Sequence, residues 1–248
     1  MELLGIDIGG SGIKGAIVNI DTGELLTERH RIPTPEGAKP ADVANTVKQL
    51  VEHFNWKGKV GCGFPALVTH GVAHTSSNIH KSWRGVNVEE LFKKYTGLEF
   101  NVANDADAAG LATMSFGTGK GKKGLVFMIT LGTGIGSGAF YNGDLIPNFE
   151  LGSIPYKKYK RIEQYAANSV RKRNHLSYTE WGKRVNKFLR LIEKLFSPDH
   201  IIIGGGASKK FDDFKDEIKI NTPVTPAAHQ NNAGILGAAL LAKSNPLP

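Results

Sequence analysis

The chain has 248 residues, room for one large domain or two small lobes with an ample core, and its 40% hydrophobic and 22% charged residues are the balance of an ordinary globular protein. A single cysteine, Cys62, excludes an intrachain disulfide and any multi-cysteine zinc site. Lys and Arg number 31 against 23 Asp and Glu, and the resulting +8 favours an anionic partner: nucleic acid, an anionic membrane or a phosphorylated small molecule. The first residues carry no basic segment followed by a long apolar one, and no apolar run approaches the ~20 residues of a membrane span, so the expectation is a soluble cytoplasmic protein without a membrane partner.

In chain order, Leu3 to Ile8 reads as a strand, Gly9-Gly10-Ser11-Gly12 as a turn, Ile13 to Ile20 as a second strand, and Glu24 to Ile32 as an extended run. Apolar residues at helical spacing (Val43, Val47, Leu50, Val51, Phe54) predict a helix from Ala41 to Phe54, and Lys59 to Phe64 predicts a strand stopped by Pro65. Phe100 to Ala103 is strand-like and runs into a helix at Asn104. The second half repeats the theme: strand Gly124–Leu131, turn Gly132-Thr133-Gly134, strand Ile135–Tyr141 and a hairpin-type Asn142-Gly143. The longest helix, Tyr178 to Phe196, opens on a Ser177/Glu180 capping-box pattern and ends before Pro198. A strand Ile201–Ile203 enters Gly204-Gly205-Gly206, and a last helix covers Ala233 to Lys243. The fold class is α/β, mixed sheets with flanking helices, and the repeated strand-turn-strand unit implies two lobes of related architecture.

Thirty glycines is a high count, and they cluster in these turns. Gly10 to Gly15 matches the dinucleotide fingerprint G-x-G-x-x-G, but Ile13 to Val18 is strand-like where that fingerprint requires a helix, so a Rossmann site is rejected. What remains is a hairpin with Asp7 at its mouth. Backbone N–H groups of Gly9, Gly10, Ser11 and Gly12 can converge on a phosphate, and Asp7 can hold Mg²⁺ directly or through water. The second turn, Gly132-Thr133-Gly134, offers the same chemistry with the Thr133 hydroxyl. Either turn alone reads equally well as a tight hairpin without a ligand; the pair in one chain points to phosphate.

The ordered set Asp7-x-Gly-Gly-Ser-x-x-Lys14, Asn104-Asp105-Ala106-Asp107-Ala108-Ala109, Leu131-Gly-Thr-Gly-Ile-Gly-Ser-Gly138, Glu150-Leu151-Gly152 and Ile201-Ile-Ile-Gly-Gly-Gly206 resembles the sugar kinases of the ROK family, in the superfamily of hexokinase, actin and the heat-shock ATPases. Within that family, Asn78-Ile-His-Lys-Ser-Trp83, Ser197-Pro-Asp199, Gly204 to Lys210 and Asn231 to Ala239 are similar to the polyphosphate glucokinase branch. The resemblance implies an actin-like ATPase (ribonuclease H-like) fold, residues 1–103 with 232–248 in a small lobe and 104–231 in a large one. It implies a hexose kinase moving a phosphoryl group from polyphosphate or ATP to the sugar 6-hydroxyl, with Mg²⁺, as a homodimer.

On that resemblance Asp105 is the general base and Asn104 orients a neighbouring hydroxyl; Asp107 is the weaker candidate. Alone, Asn104-Asp105 reads as a helix N-cap pair. Glu150, with Gly63, Phe64 and Asn78 on the other wall, would bind sugar, although Phe64 reads equally as core. Ser153 stands where the family has histidine, so it supplies a shorter hydrogen-bonding group and leaves a catalytically weakened sugar-binding or sensor protein as the alternative. The zinc cysteines of most ROK proteins are missing, and no structural zinc is expected. Lys14, the two glycine turns and Gly204-Gly205-Gly206 would hold the donor. Lys120, Lys122 and Lys123 would line the path of a polyphosphate chain, although any such run also reads as a solvated face. His70, His74 and His80 share a loop but fit no standard metal spacing. Nucleic acid is not expected, because aromatic platforms and a reading helix are missing from the pattern.

Overall fold

The computed structural model describes residues 1–76, 79–228 and 232–243. Strands β1 (Glu2–Gly9) and β2 (Gly12–Asn19) form the first hairpin, followed by β3 (Glu24–Leu25) and β4 (His30–Ile32), two short pieces in place of the single extended run expected there. Helix α1 (Pro40–His53) starts on a proline, which has no N–H to leave unsatisfied. Then come β5 (Val60–Phe64), β6 (Val68–Thr69), β7 (Val72–Ala73), α2 (Val88–Thr96), β8 (Phe100–Asn104) and α3 (Asp105–Phe116). The second half runs β9 (Leu125–Leu131), β10 (Ile135–Tyr141), β11 (Asp144–Ile146), α4 (Glu163–Ala166), α5 (Asn168–Arg173), α6 (Tyr178–Phe196), β12 (His200–Gly204), β13 (Val224–Pro226) and α7 (Ala233–Lys243).

Contacts divide the chain into Met1–Phe116 with Asn231–Pro248, and Gly117–Gln230. This differs from the break expected at 103–104. Helix α3 stays with the first unit because it packs on α7, with no room for a methyl between Gly237 and the Ala108 carbonyl.

The first unit is a sheet in the order β3-β2-β1-β5-β8, with β4 also paired to β2. Side chains alternate across it. Leu4, Ile6 and Ile8 of β1 face a core shared with Val43, Val47 and Leu50 of α1 and Phe92 of α2, while Leu3 faces Ile235 and Ala239 of α7. On the α7 face the helix lies directly on the strands. A Cβ at Gly61 would lie 1.7 Å from the Ala238 carbonyl oxygen, and one at Gly5 would lie 2.1 Å from that of Ile235. Neither position tolerates a side chain.

The second unit has the same plan, β11-β10-β9-β12-β13. In both units an antiparallel hairpin is continued by two parallel strands. Phe127, Ile129 and Leu131 pack against Trp181, Val185, Phe188 and Ile192 of α6, each worth roughly 1.5–3 kcal/mol on burial. The capping box forms as expected: Ser177 Oγ accepts from Glu180 N (3.1 Å) while Ser177 N donates to the Glu180 carboxylate (2.9 Å). The Asn142-Gly143 turn has positive φ at both residues (53° and 98°), as a tight hairpin between twisted strands requires.

The helix seat gives a direct test. Gly61→Ala should lose about 2 kcal/mol or more of stability by overpacking, whereas Gly10→Ala, with nothing within 4 Å of the new methyl, should melt like the parent. Thermal unfolding of both variants checks this, and a parent-like Gly61→Ala would refute the seat.

Candidate active site

In the first unit, strand register builds a row across one face of the sheet. Arg31 of β4 lies opposite Lys14 of β2, Lys14 opposite Asp7 of β1, Asp7 opposite Gly63 of β5, and Gly63 opposite Ala103 of β8. Lys14 Nζ stands 3.5 Å from Asp7 Oδ2. Burial pushes the Asp7 pKa up, and the Lys14 charge and hydrogen bond, the next causes, only partly oppose it. Gly234, at the start of α7, is bare because the carboxylate fills its side-chain space: a Cβ there would lie 2.8 Å from Asp7 Cγ. Gly63 in turn lies between Asp7 Oδ1 and the Asp105 backbone, which are 3.9 and 3.7 Å from a Cβ position at Gly63.

Asn104 ends β8 and caps α3. Its Oδ1 accepts from Ala106 N (2.8 Å) and its Nδ2 donates to the Ala66 carbonyl (3.1 Å). The capping role read from the sequence is therefore present, and it leaves Asp105 exposed at the first turn of the helix. Asp107 is buried at 1% exposure and faces away from solvent. Of the two readings of Phe64, core or sugar wall, the burial favours core. Its ring is fully buried, edge-on to Trp83 at 4.7 Å between centroids. Asn78 lies outside the described residues.

The turn joining β1 and β2 exposes Gly10 and Ser11. Its carbonyls are held from the side: Thr34 Oγ1 donates to Gly9 O (2.5 Å), and Arg31 Nη2 donates to Ser11 O. Neither Gly10 nor Ser11 N–H donates to any described residue. The second unit repeats this device. Ser169 N donates to Gly132 O (3.0 Å) and Ser169 Oγ to Thr133 O (2.6 Å), while the N–H groups of Thr133 and Gly134 have no partner among the described residues. Gly205, at φ 69°, packs within 3.4 Å of Leu131 N (measured from a Cβ position), so the Gly204–Gly206 turn abuts the same end of β9.

Glu150 is carried by a segment that Ser137 of β10 fixes: Ser137 Oγ donates to Phe149 O and accepts from Leu151 N (3.0 Å). Ser153 is exposed, its N–H bonded to Glu150 O (2.9 Å). Although Glu150 keeps open surface, the protein around its carboxylate pushes its pKa up, with the charge of Glu163 as second cause. Glu163 is a residue that the sequence reading passed over. Its Oε2 accepts from Ile135 N (3.3 Å) and occupies the side-chain space of Gly134, and Arg161 pairs with its Oε1 at 2.9 Å. The only sequence signal for it is an acidic residue at the start of a short helix.

Lys120, Lys122 and Lys123 are not gathered with the Gly132–Gly134 turn. Lys120, Lys122 and Lys123 precede β9, whereas Gly132 follows it, and seven residues of strand separate the two by roughly 20 Å. Lys122 Nζ instead lies 3.5 Å from His200 Nδ1, at the corresponding end of β12. Lys209 and Lys210 are exposed beyond Gly206, and Lys210 pairs with Asp213 at 3.8 Å.

The pattern of the ROK family matches residues 3–148, more than half of the chain. The chain belongs to the ROK family. It is 46% identical over 237 residues to a polyphosphate glucokinase of Mycobacterium tuberculosis (strain CDC 1551 / Oshkosh), covering 95% of this chain and 89% of the relative. With a polyphosphate glucokinase of Mycobacterium leprae (strain TN) it shares 44% identity over 95% of this chain and 73% of the relative. The crystal structure of an inorganic polyphosphate/ATP-glucomannokinase from Arthrobacter sp. strain KM matches with a TM-score of 0.88 at 42% identity, over 98% of both chains. A ROK family glucokinase from Streptomyces griseus, at TM-score 0.81 and 22% identity, shares the fold. That fold is the actin-like ATPase fold.

In this ROK protein the raised pKa of Glu150, caused first by its protein surroundings and second by the charge of Glu163, makes stability depend on pH. A folded-state pKa raised above its unfolded value means that the charged form is penalised by folding, a cost that disappears on protonation. Glu150→Gln should therefore melt roughly 1–3 °C above the parent at pH 7. The gap should close as pH falls below the ordinary glutamate value of 4.5. A gap that persists or widens in acid would show that folding does not penalise the Glu150 charge.

Proposed function

We propose that the chain is a hexose kinase that transfers a phosphoryl group from polyphosphate or ATP to the 6-hydroxyl of glucose or a related hexose. The observation that carries this reading is the shared build of the two glycine turns, whose carbonyls are held by side-chain and backbone donors while the N–H groups of Gly10, Ser11, Thr133 and Gly134 have no partner among the described residues. Two such turns in one chain suit a substrate with several phosphate groups. The names of the relatives, polyphosphate glucokinase at 46% identity and polyphosphate/ATP-glucomannokinase at 42%, support the same substrates.

Asp105 takes the proton of the attacking hydroxyl. It stands exposed at the head of α3, on a backbone held by the Asn104 cap and by contact with Gly63. General-base assistance of this kind contributes about 10²–10⁴-fold. Asn104 keeps one amide hydrogen for a sugar hydroxyl, and Glu150, Glu163 and Ser153 supply further acceptors. Gly10, Ser11, Thr133, Gly134 and the Gly204–Gly206 turn hold donor oxygens. The lysines at 120, 122 and 123, at the far end of β9, reach only the distant part of a long polyphosphate chain.

Phosphoryl transfer in this class uses Mg²⁺, and Asp7 suits it. Its carboxylate is desolvated and only partly balanced by Lys14, so a cation relieves a cost that folding has imposed. Mg²⁺ takes one or two protein carboxylates and fills its shell with water and phosphate oxygens. A single acidic residue is therefore compatible with the finding that no group of three His, Cys, Asp or Glu side chains among the described residues could hold a metal. When bound, the ion would neutralise donor charge.

Asp105→Asn should lower kcat by about 10²-fold or more while calorimetry shows glucose binding largely retained. A near-normal kcat would remove the base from the mechanism, and loss of sugar binding alone would recast Asp105 as a substrate ligand.

A further inference from the structure

The charged row across the first sheet does not stop at Lys14. Arg31, on β4, is the next residue in register and shares the face of Asp7 and Lys14, since residues directly opposite in antiparallel strands project to the same side. Its guanidinium lies along the phosphate turn. A Cβ at Gly12 would fall 2.4 Å from Arg31 Nε and 2.7 Å from its Cζ, so residue 12 is bare because the arginine covers it. One terminal nitrogen donates to the Ser11 carbonyl. The side chain is otherwise exposed and makes no ion pair among the described residues. A cation is thus moored beside the unbonded Gly10 and Ser11 amides with N–H donors to spare. The second turn differs: Ser169 holds its carbonyls, and the side chain lying over Gly134 is the Glu163 carboxylate, where the first turn has a cation.

We propose that Arg31 is a binding residue for the phosphoryl donor, its guanidinium joining the Gly10 and Ser11 amides in contact with the donor's phosphate oxygens. This rests on the kinase reading for the identity of the donor. A planar guanidinium can grip two phosphate oxygens at once, whereas an ammonium acts as a point charge. Anchoring to the Ser11 carbonyl also fixes the fork before the donor arrives, which reduces the ordering cost of binding.

The test uses the full chain, with tripolyphosphate binding measured by calorimetry in the absence of sugar, alongside steady-state kinetics with glucose. Arg31→Gln should weaken tripolyphosphate binding about 10-fold or more, the effect of one charge-assisted contact, and raise KM for the donor in parallel. KM for glucose and the melting temperature should stay at parent values, and Arg31→Lys should recover part of the loss. Unchanged tripolyphosphate affinity in Arg31→Gln overturns the proposal. So does a loss that comes with a lower melting temperature and a raised glucose KM, which would make Arg31 only a prop for β4. If the parent binds tripolyphosphate through Arg31 yet makes no sugar phosphate, the contact stands and the kinase reading fails.

Discussion

The first unit depends on how closely α7 lies on β1 and β5. Backbone carbonyls of Ile235 and Ala238 occupy the space that side chains at Gly5 and Gly61 would need. Helix and sheet therefore meet backbone to backbone, with less tolerance than one methyl group. Glycine inside an element costs about 0.5–1 kcal/mol relative to alanine, a cost offset by the dispersion contacts that this approach allows. The consequence for chemistry lies at the top of the helix. Because α7 is seated so deeply, its first turn brings Gly234 against the Asp7 carboxylate, and α3, held on α7, brings the head of Asp105 beside Gly63. Both acidic residues owe their places to missing side chains.

The glycine turns follow a second constraint. A turn that receives an anion must present N–H groups and turn its carbonyls elsewhere, and in a folded chain those carbonyls need donors. Each turn meets that need from a neighbouring segment: Thr34 and Arg31 in the first unit, Ser169 in the second. Neither Gly10 nor Gly12 takes a positive φ. Glycine at 12 answers to the arginine lying over it, and backbone conformation has no part in that choice.

Much of this was legible in the sequence. The hairpins, α6 with its capping box, α7 and the Asn142-Gly143 turn were read from local patterns, because caps, periodicity and turn dipeptides act over a few residues. The glycine turns and the Asn104-Asp105 strand-to-helix junction were readable as well, since their local structure is contained in short motifs. What escaped was set by contacts between distant residues. Nothing near Gly61 announces Ala238, and nothing near Gly12 announces Arg31. Phe64 could be core or wall until Trp83 was seen against it. Lys120, Lys122 and Lys123 were placed near the phosphate turn because a strand joins them to it, but a strand separates its ends by its whole length. Helix α2 carried its own signals, an Asn87 cap and a Gly97 stop, but no element was read between Trp83 and Phe100.

The central claim is sugar phosphorylation on this chain. The most direct measurement is phosphorus NMR of the purified protein with Mg²⁺, glucose and either polyphosphate or ATP. A hexose kinase gives a new phosphomonoester signal coupled to the C6 protons of glucose, growing as donor signal is lost and only when both sugar and protein are present. Donor hydrolysis to free phosphate without that ester, or no turnover of either donor with any hexose, would contradict it.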